Sequence, residues 1–291
     1  MAYKIGLALG GGGARGSFQI GVIKALMDSG IMKQVRVVSG TSIGAIHAVM
    51  VMAGISYERM YDLWTTIDKS VIFGTESRFK TDKLGIFSIQ DLYDTFAQAV
   101  TIEEIRKSKM QGYATAAKIN KKSLIDQVMI NRMEKVVFDL NESADPHQAA
   151  MASASIPIVF GPDDIGEETY VDGGALDPVP IQPLIDQGCD IIIAVPIFGQ
   201  VKEKKYAAQN ITLINIRQYK LFDIIGLDVM DFDIKKVPRR IAYGEKLAYY
   251  MIEKLAHKKV FDKDTLAWHK PEGYTYVSLT KTEESHVINE K

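Results

Sequence analysis

The sequence predicts an α/β protein with a mostly parallel central sheet sandwiched by helices. Three observations carry this. Short β-branched stretches recur along the chain, at 4–9, 35–39, 134–138, 169–171, 190–195, 211–216 and 274–279. Helical patterns fall between many of them. The strand candidates are apolar without strict alternation, as expected where both faces of a sheet are covered.

Each element has a local reason. In the first helix Phe18, Val22, Ala25 and Leu26 make an i, i+4, i+7, i+8 stripe, and Gly30 is a natural stop. A second helix, 43–53, is apolar nearly all round and therefore buried, although it carries His47. No repeat, low-complexity run or Pro/Gly/Ser-rich linker interrupts the chain, so 1–291 reads as a single domain. The stretch 72–109, containing FGTESRFKTDKLGIFS, is less regular and reads as a cap or insertion. Near the C-terminus, 235–260 reads as a helical segment with no catalytic motif. Its stripe is Val237, Ile241, Ala248, Met251 and Leu255. Over 235–259 eight Lys and Arg face two Glu, a local charge of +6. Such a helix either packs its stripe on the sheet with its lysines solvated or lies on an anionic membrane.

Composition excludes several classes. The 291 residues are 47% hydrophobic and 24% charged, so disorder, collagen and coiled coil are poor readings. With 35 Lys and Arg against 36 Asp and Glu, there is no global field to attract nucleic acid, and no nucleic-acid partner is expected. Cys189 is the single cysteine and fits a reducing compartment. The N-terminal residues run straight into a strand, without the pattern of a signal peptide. The most apolar runs, 45–55 and 191–198, fall short of the roughly 20 residues that span a bilayer. A cytoplasmic location follows as the expectation, with at most peripheral membrane contact.

The first motif is Gly10-Gly11-Gly12-Gly13-Ala14-Arg15-Gly16, which follows a strand and opens a helix. Successive N–H groups at a helix N-terminus converge on one spot and stabilise negative charge there. Gly11-x-Gly13-x-x-Gly16 also fits a dinucleotide fingerprint. That fingerprint expects an acidic residue at the end of the second strand, where this chain has Val35-Arg36-Val37-Val38-Ser39. Walker A is absent.

The second motif is Gly40-Thr41-Ser42-Ile43-Gly44, G-x-S-x-G between an apolar strand and an apolar helix. This is the setting of a nucleophile elbow, with Ser42 at the apex. The Gly-rich loop and the N–H of Ile43 are candidates for an oxyanion hole. For a base there are five histidines: His47, His147, His257, His269 and His286. His47 lies five residues after Ser42 on one helix, about 140° around the axis, and should point away. The third motif, Tyr170-Val171-Asp172-Gly173-Gly174, offers an acidic base at a strand end. In a parallel sheet, strand ends that carry site residues share one edge, and Ser42 and Asp172 are both expected there.

Together these motifs resemble the patatin-like phospholipase family. The resemblance rests on Gly11-Gly12-Gly13-Ala14-Arg15-Gly16, on Gly40-Thr41-Ser42-Ile43-Gly44, on Asp172-Gly173-Gly174, and on the small-residue block Ala152-Ser153-Ala154-Ser155-Ile156-Pro157 before the Asp strand. It spans most of residues 4 to 217. Pro178 is a departure, since many relatives carry Asn there, while Pro180 is retained. The resemblance implies an α/β/α fold and a lipid acyl hydrolase of phospholipase A, lysophospholipase or esterase type. It implies a Ser42–Asp172 dyad without histidine and an oxyanion hole from the amides of Gly11, Gly12 and Gly13. Arg15 would order the loop, with Gly16, Gly40, Gly44, Gly173 and Gly174 as motif support. It implies lipid or phospholipid as the partner and no cofactor or metal. Three readings compete. One is an esterase with a Ser42–Asp172–His triad, which chain order permits for His257, His269 or His286. The others are a nucleotide-binding protein using the Gly-rich loop and a catalytically idle lipid-binding or scaffold protein.

Overall fold

The computed structural model describes residues 3–67, 89–120, 123–198, 200–219 and 227–289. Its strands are β1 (Ile5–Leu9), β2 (Val35–Thr41), β3 (Gln111–Ile119), β4 (Met133–Asp139), β5 (Asp163–Ile165), β6 (Glu168–Asp172), β7 (Ile191–Val195), β8 (Thr212–Asn215), β9 (Phe261–Asp262), β10 (Ala267–Trp268) and β11 (Thr275–Ser278). Every strand stretch expected from the sequence forms a strand. Among the described residues β9 and β10 pair only with each other, and the other nine form one sheet. Six of those nine, in the order β11-β8-β7-β1-β2-β3, are all parallel. The remaining three, β4, β5 and β6, pair antiparallel. The α/β class and mostly parallel sheet are therefore as predicted.

The helices are α1 (Ser17–Asp28), α2 (Ile43–Met52), α3 (Tyr57–Thr66), α4 (Gln90–Ala99), α5 (Ile102–Arg106), α6 (Pro146–Ala154), α7 (Gln182–Asp186), α8 (Val237–His257) and α9 (Lys281–Asn289). The two faces of the sheet are covered unequally. Ile5, Leu7 and Leu9 of β1 and Ile191, Ile193 and Val195 of β7 face the larger core with α1, α2, α6 and α8. The alternate residues Ala8, Ile192 and Ala194 face a smaller core closed by Val179, Ile181 and Leu184 around the short α7. Gly30 ends the first helical stretch in the left-handed region, with φ 74°.

The stripe predicted for 235–260 belongs to the core. Val237, Ile241, Ala248, Met251 and Leu255 are all buried on α8, which packs along α1. The two helices cross backbone to backbone. A Cβ on Gly21 would lie 1.9 Å from the Ile241 carbonyl oxygen, and one on Gly244 2.0 Å from that of Phe18. Part of the basic face is also neutralised or turned inward. Arg240 is buried and donates to the Ala14 carbonyl at 2.9 Å, Lys254 pairs with Glu283 at 2.6 Å, and Lys236 pairs with Asp231. No described helix is long and apolar enough to cross a membrane. Of the expected cap at 72–109, residues up to 88 lie outside the described residues, and the remainder forms α4 and α5.

Candidate active site

The site is built on one edge of β3. β4 occupies the other edge from Tyr113 to Ile119. β2 pairs with residues 111–115 and β6 with 116–119, so both must share the free edge. β2 runs parallel to β3 and β6 antiparallel, and their C-terminal ends meet head to head. Thr41 sits opposite Thr115, and Asp172 opposite Ala116. This differs from the expected common edge of parallel strands: Ser42 and Asp172 converge because two strands of opposite direction end at neighbouring β3 residues.

The chain must leave the sheet abruptly after Thr41, because β6 arrives in its path. Ser42 does this with φ 57° and ψ −131°, a strained conformation for a residue with a side chain. The elbow closes only because it lacks side chains on either flank. A Cβ on Gly40 would lie 2.0 Å from the Gly44 carbonyl oxygen, and one on Gly44 2.1 Å from that of Leu9. The small-residue block fixes both strand ends. The Ser42 N–H donates to Ser153 Oγ at 2.8 Å, which donates to the Thr115 carbonyl at 2.5 Å. The Asp172 N–H donates to the Ser155 carbonyl at 2.9 Å. The block was visible in the sequence, but these roles were not, because they depend on the backbones that end there.

The Gly174 N–H donates to Asp172 Oδ1 at 2.7 Å, and the Ser42 side chain lies near enough to draw the Asp172 pKa down. Burial raises the Asp172 pKa to about 6, against the pull of Ser42 and the Gly174 N–H. Arg15 is itself buried and is not among the groups that shift Asp172. Gly173 packs on the Thr115 carbonyl.

The Gly-rich loop lies against Ser42, with the Gly11 Cβ position 3.0 Å from Ser42 Cβ. The Gly11 N–H donates to the Pro178 carbonyl at 3.0 Å, so the residue that departs from the family pattern anchors the loop through its backbone. Among the described residues the N–H groups of Gly12 and Gly13 have no protein acceptor. The loop is covered by protein: a Cβ on Gly12 would strike Ile197 at 2.4 Å, and one on Gly13 the Val229 carbonyl at 2.3 Å. Gly16 lies under Ile43 and Trp64.

Ser42 and Gly13 open onto a pocket otherwise lined mainly by apolar side chains, among them Ile46, Met50, Leu63, Leu92, Phe96 and Phe160. His47 also lines it, but both ring nitrogens are engaged by residues other than Ser42 and Asp172. Nδ1 lies 2.7 Å from Gln19 Oε1, and Nε2 accepts from Trp64 Nε1 at 3.0 Å. Burial lowers its pKa to about 3, so it stays neutral. Gln19 in turn donates to the carbonyls of Gly10 and Val195, both at 2.9 Å. His147 is buried against the Val100 carbonyl at 2.7 Å. His257, His269 and His286 are exposed, outside the pocket lining. No histidine is among the partners of Asp172. Burial pushes the Cys189 thiol up to about 12.

Chemically, this is a hydroxyl at a forced apex near a carboxylate that burial makes more basic, beside the unpaired N–H groups of Gly12 and Gly13 and an apolar slot.

Comparison with known proteins agrees with the motifs. The model of the Patatin-like phospholipase family matches residues 7–185. An uncharacterised NTE family protein of Mycobacterium tuberculosis is 28% identical over 199 residues, which is 67% of this chain and 49% of that protein. The lysophospholipase NTE1 of Yarrowia lipolytica is 28% identical over 194 residues, covering 66% of this chain and 12% of its own length. The chain thus spans about half the length of the mycobacterial relative and about an eighth of the fungal one. Among solved structures, ExoU of Pseudomonas aeruginosa in its complex with SpcU gives a TM-score of 0.42 at 19% identity, over 85% of this chain and 52% of that one. VipD of Legionella pneumophila gives 0.41 at 13%, over 99% and 65%.

Proposed function

The chain belongs to the patatin-like phospholipase family, and from that premise we propose that it is a lipid acyl hydrolase cleaving carboxylic esters with a Ser42–Asp172 dyad. The observation that carries this reading is that Ser42 follows Thr41 opposite Thr115 while Asp172 sits opposite the next β3 residue, Ala116, with its carboxyl pKa raised by burial to about 6. A carboxylate of ordinary pKa is a weak base near neutral pH, and desolvation makes it a better one.

In the proposed reaction Asp172 takes the Ser42 proton as Oγ attacks the ester carbonyl. The oxyanion is held by the amides of Gly12 and Gly13, with Ile43 N–H as a further donor, while Gly11 contributes the space its missing side chain leaves beside Ser42. Asp172 returns the proton to the leaving alcohol, then activates water to release the acyl group. The apolar slot receives the acyl chain. His47, through Gln19, holds the Gly10 carbonyl and takes no proton in this scheme.

Labelling with a fluorophosphonate probe and mapping the adduct by mass spectrometry tests the assignment. The adduct is expected on Ser42 and is lost or strongly slowed in Asp172→Asn. An adduct on another serine, or labelling unchanged in Asp172→Asn, overturns the dyad. A triad is overturned in turn if His257→Ala, His269→Ala and His286→Ala all retain activity.

A further inference from the structure

Between β3 and β4 the chain turns the usual rule inside out. In the run Leu124-Ile125-Asp126-Gln127-Val128-Met129-Ile130 the two polar residues are buried and the five apolar ones are exposed. Ile125 and Ile130 are 56% exposed, and Val128 is 52%. Asp126 is 5% exposed, its carboxylate accepts from Ser123 Oγ at 2.6 Å while its N–H donates to the same oxygen at 3.1 Å, and it pairs with Arg132 at 2.9 Å. Gln127 is fully buried, and its Oε1 accepts from the Ile158 N–H at 3.2 Å. Folding that turns these polar groups inward, with the buried Gln127 Nε2 lacking a partner among the described residues, and leaves five apolar side chains in water is costly for the isolated molecule. A partner that covers them offsets the cost.

Ile158 extends the patch and joins it to the candidate site. It is 45% exposed, and it adopts φ 68°, a strained value for a β-branched residue. Two residues to either side, Ile156 and Phe160 line the pocket into which Ser42 opens. The same short turn therefore presents one side chain to solvent and two to the slot.

We propose that the 124–130 turn and Ile158 form the surface by which this protein settles on a lipid bilayer, next to the pocket entrance. This rests on the acyl-hydrolase reading for its purpose but not for its physics. The area argues for lipid: six aliphatic side chains on two turns are far fewer than the roughly 20–30 residues a side of a stable protein interface. They suffice for shallow insertion of an apolar face below the headgroups. In charge, the sequence places Lys121 and Lys122 directly before the run, while after it Arg132 and Lys135 are paired with Asp126 and Asp177, so the apolar side chains carry the contact. The patch replaces the 235–260 helix as the membrane-facing element, because the stripe of that helix is spent on α1.

The test is co-flotation with phosphatidylcholine vesicles containing phosphatidylglycerol, alongside hydrolysis of a soluble short-chain ester. The native protein is expected to float with vesicles. A variant combining Ile125→Asp, Val128→Asp and Ile130→Asp is expected to lose at least about tenfold in vesicle binding. It should keep soluble-ester hydrolysis within about twofold and the native circular dichroism spectrum, because none of the three lies in the core. Ile102→Asp, at an exposed position on α5, should float like the native protein. The inference is overturned if the native protein does not float, or if the triple variant floats equally well. It is also overturned if that variant only turns a dimer into a monomer with vesicle binding unchanged. If the native protein floats through this patch but hydrolyses no ester, the docking surface stands and the hydrolase reading falls.

Discussion

Two glycine pairs solve the same packing problem in different parts of this molecule. At the elbow, Gly40 and Gly44 let a strand turn directly into a helix under the Leu9 carbonyl. At the α1–α8 crossing, Gly21 and Gly244 let two helices touch through their backbones. In each, a single Cβ would sit about 2 Å from a carbonyl oxygen, so the steric demand is equal. The difference is what the close approach holds. The elbow sets the position of Ser42 against Asp172, whereas the crossing sets the docking of a C-terminal helix whose Arg240 donates to the Ala14 carbonyl in the Gly-rich loop. Equal packing constraints therefore predict unequal effects on activity.

The largest effect is expected at the carboxylate. Asp172→Asn keeps the shape of the site but cannot take the Ser42 proton, and kcat should fall by about 10⁴-fold, judged by what loss of a triad carboxylate costs in serine hydrolases. The same change should raise stability. The Asp172 pKa is raised from 3.8 to about 6 on folding, so the folded state binds this proton more tightly than the unfolded one. The resulting penalty is absent below pH 4, grows through pH 4–6 and is complete above it. Asp172→Asn should relieve about 1–3 kcal/mol at pH 8 and nothing at pH 3.5, read from denaturant melts at the two pH values. Loss of stability at pH 8 would mean that the carboxylate holds the site together.

Next in size is Gly44→Ala. The new methyl must push the start of α2 away from Leu9, displacing Ser42 by a sizeable fraction of an ångström. Such misplacement costs about 100-fold in kcat per folded molecule. A loss no larger than the loss of folded protein would place the elbow on a par with the helix crossing.

Smaller still is the effect of pH on the unaltered protein. With Asp172 as the base, kcat/KM should be flat above about pH 7 and fall below the carboxylate pKa of about 6. At pH 5 it should be roughly tenfold under its plateau. A flat profile down to pH 4.5 would remove Asp172 from the proton transfer.

The legible part of the fold was its apolar strands, and the illegible part was the strand on which the site is built. β3, QGYATAAKI, is rich in Ala and Gly, residues poor in strand propensity, and it forms because it is buried between β2 and β6 on one edge and β4 on the other. Without β3 the sequence cannot show that β2 and β6 meet head to head, although Ser42 and Asp172 themselves stand out by their glycine neighbours. Ser153 and Ser155 escape for the same reason, since their partners are backbone groups of β3 and β6. The stripe of α8 was legible, but not what it covers: a periodic pattern specifies a face, and only the Gly21–Gly244 contact shows which helix lies against it.

The smallest effect on activity is expected where the steric insult is as great as at the elbow. In Gly244→Ala the methyl meets the Phe18 carbonyl oxygen at 2.0 Å, and α8 must lift from α1. Forcing a methyl into so tight a contact should cost about 3 kcal/mol or more, seen as a lower denaturation midpoint with the same slope. Activity per folded molecule should stay within about twofold, because Ser42, Asp172 and the amides of Gly12 and Gly13 are held by β1, β2, β3 and β6. Arg240 is the one described side chain by which α8 hydrogen-bonds the loop at Ala14, and it lies a full turn before Gly244. If Gly244→Ala instead lost activity about as strongly as Gly44→Ala at equal folded fraction, the lifted helix would be dragging the Gly-rich loop through Arg240. The crossing would then belong to the oxyanion scaffold, and the distinction between the two glycine pairs would fail at that guanidinium.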